Sequence, residues 1–307
     1  MKKNYIKLMV LAVTSAMLIT VFTGCGNNST SQSAQATTSK KKVGLVLSTL
    51  DNPYFVTMKE GAQKEADKKG YTLIVENSDN DATKERSNVE DLLQQGVSVL
   101  IINPTDSDAV GNSIKLANSK KIPVITVDRA ANSGDVACFI ASDNVKAGKM
   151  AADFLAQKLA NKGNIVELQG TPGASATNDR GKGFNDAIAS IPGMKIVANQ
   201  SANFDRQKGL EVMQNIMQST PNFDAVFAQN DEMALGAVKA LAGKKVLVVG
   251  IDGEADSQKA VQDGTMAATI AQQPGLMGSL AIDNAGKIMN NETVPKSIPV
   301  DLKLITK

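Results

Sequence analysis

The chain has 307 residues, about two domains at roughly 150 residues each, and is long enough to bury a sizeable core. Six of its 33 basic residues and none of its 31 acids precede residue 43, so the body beyond holds 27 bases against 31 acids, a poor electrostatic partner for nucleic acid. There is no histidine, which excludes Ser-His-Asp and Cys-His catalysis and His-ligated metal, and two cysteines are too few for a structural zinc site.

Lys2, Lys3 and Lys7 precede an apolar run, Leu8 to Phe22, broken only by Thr14, Ser15 and Thr20. The run is short for a bilayer span and ends in small residues, the pattern of a signal peptide over residues 1–24. Thr23-Gly24-Cys25 resembles a bacterial lipobox, with Phe22 where Leu is usual. That resemblance implies a lipid on Cys25, anchoring the chain to the outer face of the cell membrane. Asn27 to Ser39 is almost wholly Asn, Ser, Thr and Gln, so residues 25–42 read as a flexible polar tether. Cys138, in the apolar stretch Val136 to Ala141, reads as a buried small hydrophobe.

From Val43 onward, branched apolar runs alternate with amphipathic stretches. Val43–Thr49, Tyr71–Glu76, Val97–Asn103 and Ile122–Asp128 read as buried parallel strands. Helix punctuation lies between them: a stop at Gly70, a start near Asp81 with a stop at Gly96, and a start near Ser107. The same grammar resumes in Asn164–Gln169, Met194–Gln200, Asp224–Ala228 and Val246–Ile251. Ala147, Met150, Ala151, Phe154 and Leu155 form one apolar stripe, predicting a helix over Asn144–Asn161. The class is α/β with parallel sheets. Two copies of one design are visible, because a strand ending in Asn103 is followed 25 residues on by Asp128, and one ending in Asn230 is followed 22 residues on by Asp252.

Open parallel sheets bind ligands beyond the carboxyl ends of their strands. Those ends carry Asp51-Asn52, Asn77, Asn103, Asp128-Arg129, Asn230 and Asp252, and Gln272 follows Thr269-Ile270-Ala271. Each has a plain alternative: Asn52 before Pro53, Asp143 and Asn230 are also good N-caps. Carboxylates and amides can bond vicinal hydroxyls, Arg supplies a fork of donors, and aromatic faces cover the apolar side of a sugar ring. Tyr54-Phe55 and Phe204 lie in polar surroundings suited to ligand contact, whereas Phe139, Phe154, Phe223 and Phe227 read as core. No nucleotide-binding glycine motif follows the first strand; Gly170-Thr171-Pro172-Gly173 leads to Asn178-Asp179-Arg180, and Gly181-Lys182-Gly183 reads as a helix-packing and turn feature.

From these residues the chain resembles the ribose-binding branch of the periplasmic sugar-binding superfamily of bacterial ABC importers. The likeness covers Val43 to Lys307 and is most specific in Ser48–Phe55, Ile102–Val110 and Phe227–Gly236. It implies two doubly wound parallel-sheet lobes joined by a three-segment hinge, with residues 43–142 and 273–301 in the first lobe and residues 143–272 and 302–307 in the second. Ile282, Ala285 and Met289 would pack a helix of the return segment. The implied D-ribose contacts are Asn52, Tyr54, Phe55, Asn103, Asp128 and Arg129 on the first lobe, and Arg180, Phe204, Asn230, Asp252 and Gln272 on the second. Tyr54 stands where the family often has Phe, and Ile251 stands before Asp252 where an aromatic is common; both are expected to keep an apolar wall.

The function implied is a monomeric solute-binding lipoprotein that closes on D-ribose and presents it to a permease and its ATPase, with no cofactor, metal or nucleic acid. A related sugar such as allose, xylose or a sugar-like autoinducer is the nearest alternative. An exported sugar-active enzyme would use Asp128 and Asp252 as its carboxylate pair. A transcriptional regulator would need a DNA-binding headpiece where this chain has an apolar leader.

Overall fold

Continuous β-branched runs set the sheets, and the polar-capped stretches between them become the helices that cover both faces. The computed structural model describes residues 41–307; the expected signal peptide, Cys25 and nearly all of the tether lie outside the described residues. In chain order the first half holds β1 (Lys42–Leu47), α1 (Pro53–Lys69), β2 (Thr72–Asn77), α2 (Ala82–Gln94), β3 (Val99–Ile102), α3 (Val110–Ser119), β4 (Val124–Val127), β5 (Cys138–Ala141) and α4 (Asn144–Lys158). The second half holds β6 (Gly163–Gln169), α5 (Ser175–Ala189), β7 (Met194–Ser201), α6 (Arg206–Ser219), β8 (Ala225–Ala228), α7 (Asp231–Leu241), β9 (Leu247–Asp252), α8 (Ala255–Asp263), β10 (Ala268–Ala271), α9 (Pro274–Met289), β11 (Ser297–Pro299) and β12 (Lys303–Thr306).

These elements make two lobes, each a six-stranded sheet with helices on both faces. The first sheet runs β11-β5-β4-β3-β1-β2 and is parallel throughout. The second runs β12-β10-β9-β8-β6-β7, with only β12 antiparallel. Strand alternation divides each core: Val43, Leu45, Leu47 and Ile101 pack under α1 and α9, while Val46, Leu100 and Ile102 pack under α2 and α3. In the second lobe Ile165, Phe227, Val249 and Ile251 lie under α4 and α5, and Val166, Val226 and Val248 under α6 and α7. The connections β5–α4, β10–α9 and β11–β12 pass from one sheet to the other.

Several expectations change in three dimensions. Tyr71–Glu76 and Met194–Gln200 read as buried strands in the sequence, yet β2 and β7 are outer strands and only half-covered, because a sheet edge has a neighbour on one side only. The third helix begins at Val110 rather than near Ser107, after a turn over residues 107–109. Phe154 and Phe227 are buried in the core, whereas Phe139 and Phe223 are half-buried. Gly181-Lys182-Gly183 lies wholly within α5, so no turn occurs there.

The second lobe depends on a close crossing of α4 and α5. A Cβ on Gly183 would lie 1.9 Å from the Val145 carbonyl oxygen, and one on Gly148 would lie 2.0 Å from that of Arg180. Helix propensity alone would make Gly148→Ala stabilising by about 1 kcal/mol. Because the helices must separate to admit the methyl group, the variant is expected instead to lose about 1–3 kcal/mol. Urea unfolding of the two proteins checks this, and a more stable variant would refute the close crossing.

Candidate ligand-binding cleft

The carboxyl ends of the two sheets face each other across a cleft. It holds a void lined by Asn52, Tyr54, Phe55, Asp128 and Arg129 from the first lobe and Ala176, Arg180, Phe204, Asn230 and Asp252 from the second.

The first-lobe wall is built outward from a helix start. Asn52 Oδ1 accepts from Tyr54 N–H at 2.8 Å, so Asn52 is both the cap of α1 and a wall of the cleft. Pro53 opens the helix, and its first turn puts the Tyr54 and Phe55 rings edge to face at 5.2 Å. Tyr54 Oη donates to Asp128 Oδ1 at 2.8 Å. Burial first, then the carboxylates of Asp128 and Asp252, push the Tyr54 phenol well above its usual pKa and keep it a donor. Asn103 Nδ2 donates to Asp128 Oδ2 at 3.2 Å, and Asn103 Oδ1 accepts from Ser48 Oγ at 2.7 Å. Arg129 Nη1 donates to the Pro104 carbonyl at 3.1 Å, while its Nε is buried without a hydrogen-bond partner, 3.8 Å from Asp128 Oδ2.

The second-lobe wall repeats the pattern. Arg180 Nη1 donates to the Gln229 carbonyl at 2.5 Å, its Nε donates to Asn144 Oδ1 at 2.8 Å, and Asp252 Oδ1 lies 3.7 Å away. Gln272 Nε2 donates to Asp252 Oδ1 at 2.9 Å. Asn230 Oδ1 accepts from Met233 N–H and caps α7, while its Nδ2 donates to the Phe204 carbonyl at 3.3 Å. The Phe204 ring stands beneath both guanidinium groups, 5.4 Å from Arg129 and 5.7 Å from Arg180. Gly170 makes room for it, since a Cβ there would lie 2.0 Å from the ring.

Asp128 (φ 65°), Phe204 (φ 59°) and Asp252 (φ 135°) all hold positive φ, a conformation rarely adopted by residues with a side chain. Such strain persists only where the surroundings impose it, and it collects at functional sites.

Nine of the eleven expected contacts line the void. Asn103 and Gln272 do not line the void; each stands behind an aspartate and bonds its carboxylate. Ile251 is no part of the wall, because strand alternation turns it into the core under α4 and α5. Asn77 is bonded to Asp79 and does not line the void, and Asp51 lines a second pocket with Asn203 and Arg206. Sequence reasoning missed Ala176, whose small side chain carries no chemical signal, and missed Asn144 and Gln229, which hold Arg180.

A family model for the periplasmic binding protein domain matches residues 43–293. The chain is 54% identical over 271 residues to the ribose import binding protein RbsB of Escherichia coli (strain K12), covering 87% of this chain and 91% of that protein. It is 49% identical over 267 residues to the protein of the same name from Bacillus subtilis (strain 168), covering 86% and 87%. A solved ABC transporter periplasmic solute binding protein from Actinobacillus succinogenes 130z, with bound D-allose, matches at a TM-score of 0.82 and 33% identity, covering 87% of this chain and 98% of that one. The chain belongs to the periplasmic binding protein family, whose matched relatives here are solute-binding proteins and not enzymes.

Beside Asp252, both carboxyl oxygens of Glu254 are buried without a hydrogen-bond partner. Burial first, then the charges of Asp252, Asp231 and Glu232, push its pKa up to about 9. An unfolded Glu titrates near 4.3, so between that value and about 9 the folded state binds the extra proton and stability falls as pH rises. The slope is at most about 1.4 kcal/mol per pH unit. Glu254→Gln is expected to flatten this dependence and to be the more stable protein above neutrality. Unfolding curves of both proteins across pH 5 to roughly 9 check it, and parallel profiles would count against it.

Proposed function

We propose that this chain is the sugar-capturing component of an ABC importer and that its ligand is D-ribose. The observation that carries the reading is the void's lining: two aspartates, two arginines, two asparagines and three aromatic rings, drawn from both lobes, converge on one space. Carboxylates and amides accept and donate to vicinal hydroxyls, the Arg forks donate, and the rings cover the apolar face of a pyranose. The relatives named ribose import binding protein at 54% and 49% identity support ribose as the sugar. The 33%-identical protein with bound D-allose keeps a related sugar as the second reading. Asp128 and Asp252 are read as hydroxyl acceptors rather than a hydrolytic pair, since Tyr54 and Asn103 hold the first and Gln272 holds the second. Asn103 and Gln272 join the site as supports of those carboxylates.

Residues 1–24 are proposed as a signal peptide, Cys25 as the lipidated anchor on the outer face of the membrane, and residues 25–42 as the tether. Residues 43–142 with 273–301 and residues 143–272 with 302–307 are the lobes, and the chain acts as a monomer. Among the described residues no helix is long and apolar enough to cross a membrane.

Two measurements test this. Calorimetry should show D-ribose binding more tightly than allose or xylose, with Asp128→Ala, Arg180→Ala and Asp252→Ala each weakening ribose by about tenfold or more while the protein stays folded. Unchanged affinity in all three would place the sugar elsewhere. Cys25→Ser should move the protein from the membrane to the aqueous fraction, and unchanged fractionation would remove the lipid anchor.

A further inference from the structure

Helix α5 begins without a cap of its own. Ala174 precedes it and offers no side-chain acceptor, whereas Asn52, Asp143, Asp205 and Asn230 each cap the helix they precede. The acceptor comes from the opposite lobe: Ser175 N–H donates to Ser107 Oγ at 3.1 Å. Two further bonds cross the same gap. Ser107 N–H donates to the Gly173 carbonyl at 3.0 Å, and Ala130 N–H donates to Ser175 Oγ at 2.8 Å. None of these four residues lines the void.

The contact is fixed on both sides. Ser107 is buried, and its carbonyl accepts from Asn132 N–H at 2.8 Å. Gly173 permits the approach, since its φ is 86° and a Cβ there would lie 2.0 Å from Asp106 Oδ2. Ser175 N–H and Ala130 N–H meet their protein acceptors only across the gap between the lobes, so the bonds belong to the closed arrangement.

We propose that Ser107 and Ser175 form a latch that sets the balance between open and closed lobes, and so sets sugar affinity without touching the sugar. This rests on the proposed closure of the cleft around a sugar. The apparent dissociation constant is the intrinsic one divided by the fraction of binding-competent protein, so a weaker latch raises it. Losing a helix cap corresponds to roughly a three- to tenfold change. Because the latch meets no ligand atom, every sugar is affected by the same factor, and ligand release is faster.

The test is calorimetry and stopped-flow release with D-ribose and D-allose on the unaltered protein, Ser107→Ala and Ser175→Ala. Both variants are expected to bind each sugar about three- to tenfold more weakly, to release it faster, and to keep the unaltered ratio of the two affinities. Their sugar-free melting temperatures should match that of the unaltered protein. Wild-type affinity in both variants overturns the latch, as does a changed affinity ratio or a fall in sugar-free stability. If D-ribose fails to bind the unaltered protein, the ribose reading falls, and the latch is tested with whichever sugar raises its melting temperature in a screen. Binding of no sugar overturns both.

Discussion

Arg129 and Arg180 are each only 3% exposed, and Asp128 and Asp252 are buried beside them. An ion taken out of water without compensation costs several kcal/mol, so four such groups at one place constrain everything around them. Each guanidinium lies 3.7 to 3.8 Å from an aspartate, donates to a carbonyl at a strand end and shares the face of Phe204. Burial nonetheless pushes Asp252 well above the usual carboxylate range, against the charge of Arg180 and the hydrogen bond from Gln272. The cleft is therefore a place where polar groups are held ready and only partly satisfied, which suits recognition of a polyhydroxylated molecule.

The supports of this charge cluster are themselves buried carboxyls. In the first lobe Thr105 N–H donates to Glu85 Oε2 at 2.6 Å, fixing the turn whose Pro104 carbonyl receives Arg129. In the second, Gln229 Nε2 donates to Glu167 Oε1 at 2.9 Å, and the Gln229 carbonyl receives Arg180. Burial raises the pKa of both glutamates. The two lobes thus repeat a chain of support that runs from core carboxyl to turn to arginine, although Glu85 lies on a helix and Glu167 on a strand.

Asp231 serves the turn beyond Asp252 in the same way. Its carboxylate accepts from Gly253 N–H, Glu254 N–H and the Thr269 hydroxyl, and it also meets the Ser257 hydroxyl. These bonds hold the segment in which Asp252 keeps a φ of 135°. A strained aspartate with its next two amides tied to the core has little freedom to rotate away from the cleft, and such pre-organisation lowers the ordering cost of binding.

Sequence alone determined what local chemistry controls. Apolar runs with period two or none made strands, capped amphipathic stretches made helices, and Asn52 and Asn230 announced helix starts that also wall the cleft. The recurrence of Asn and Asp at strand ends placed the cleft where parallel sheets bind ligands. Tertiary structure decided the rest, because it depends on which segments meet across long sequence distances. Strand order made β2 and β7 edges rather than core, and strand alternation turned Ile251 inward. Asp128 and Asp252 hold positive φ, and their carboxylates receive bonds from Tyr54, Asn103 and Gln272, each at least 20 residues away. No pattern within α5 reveals that its first amide is capped by Ser107, 68 residues earlier in the chain. Periodicity is a property of neighbours in sequence, whereas the satisfaction of a buried polar group is a property of neighbours in space.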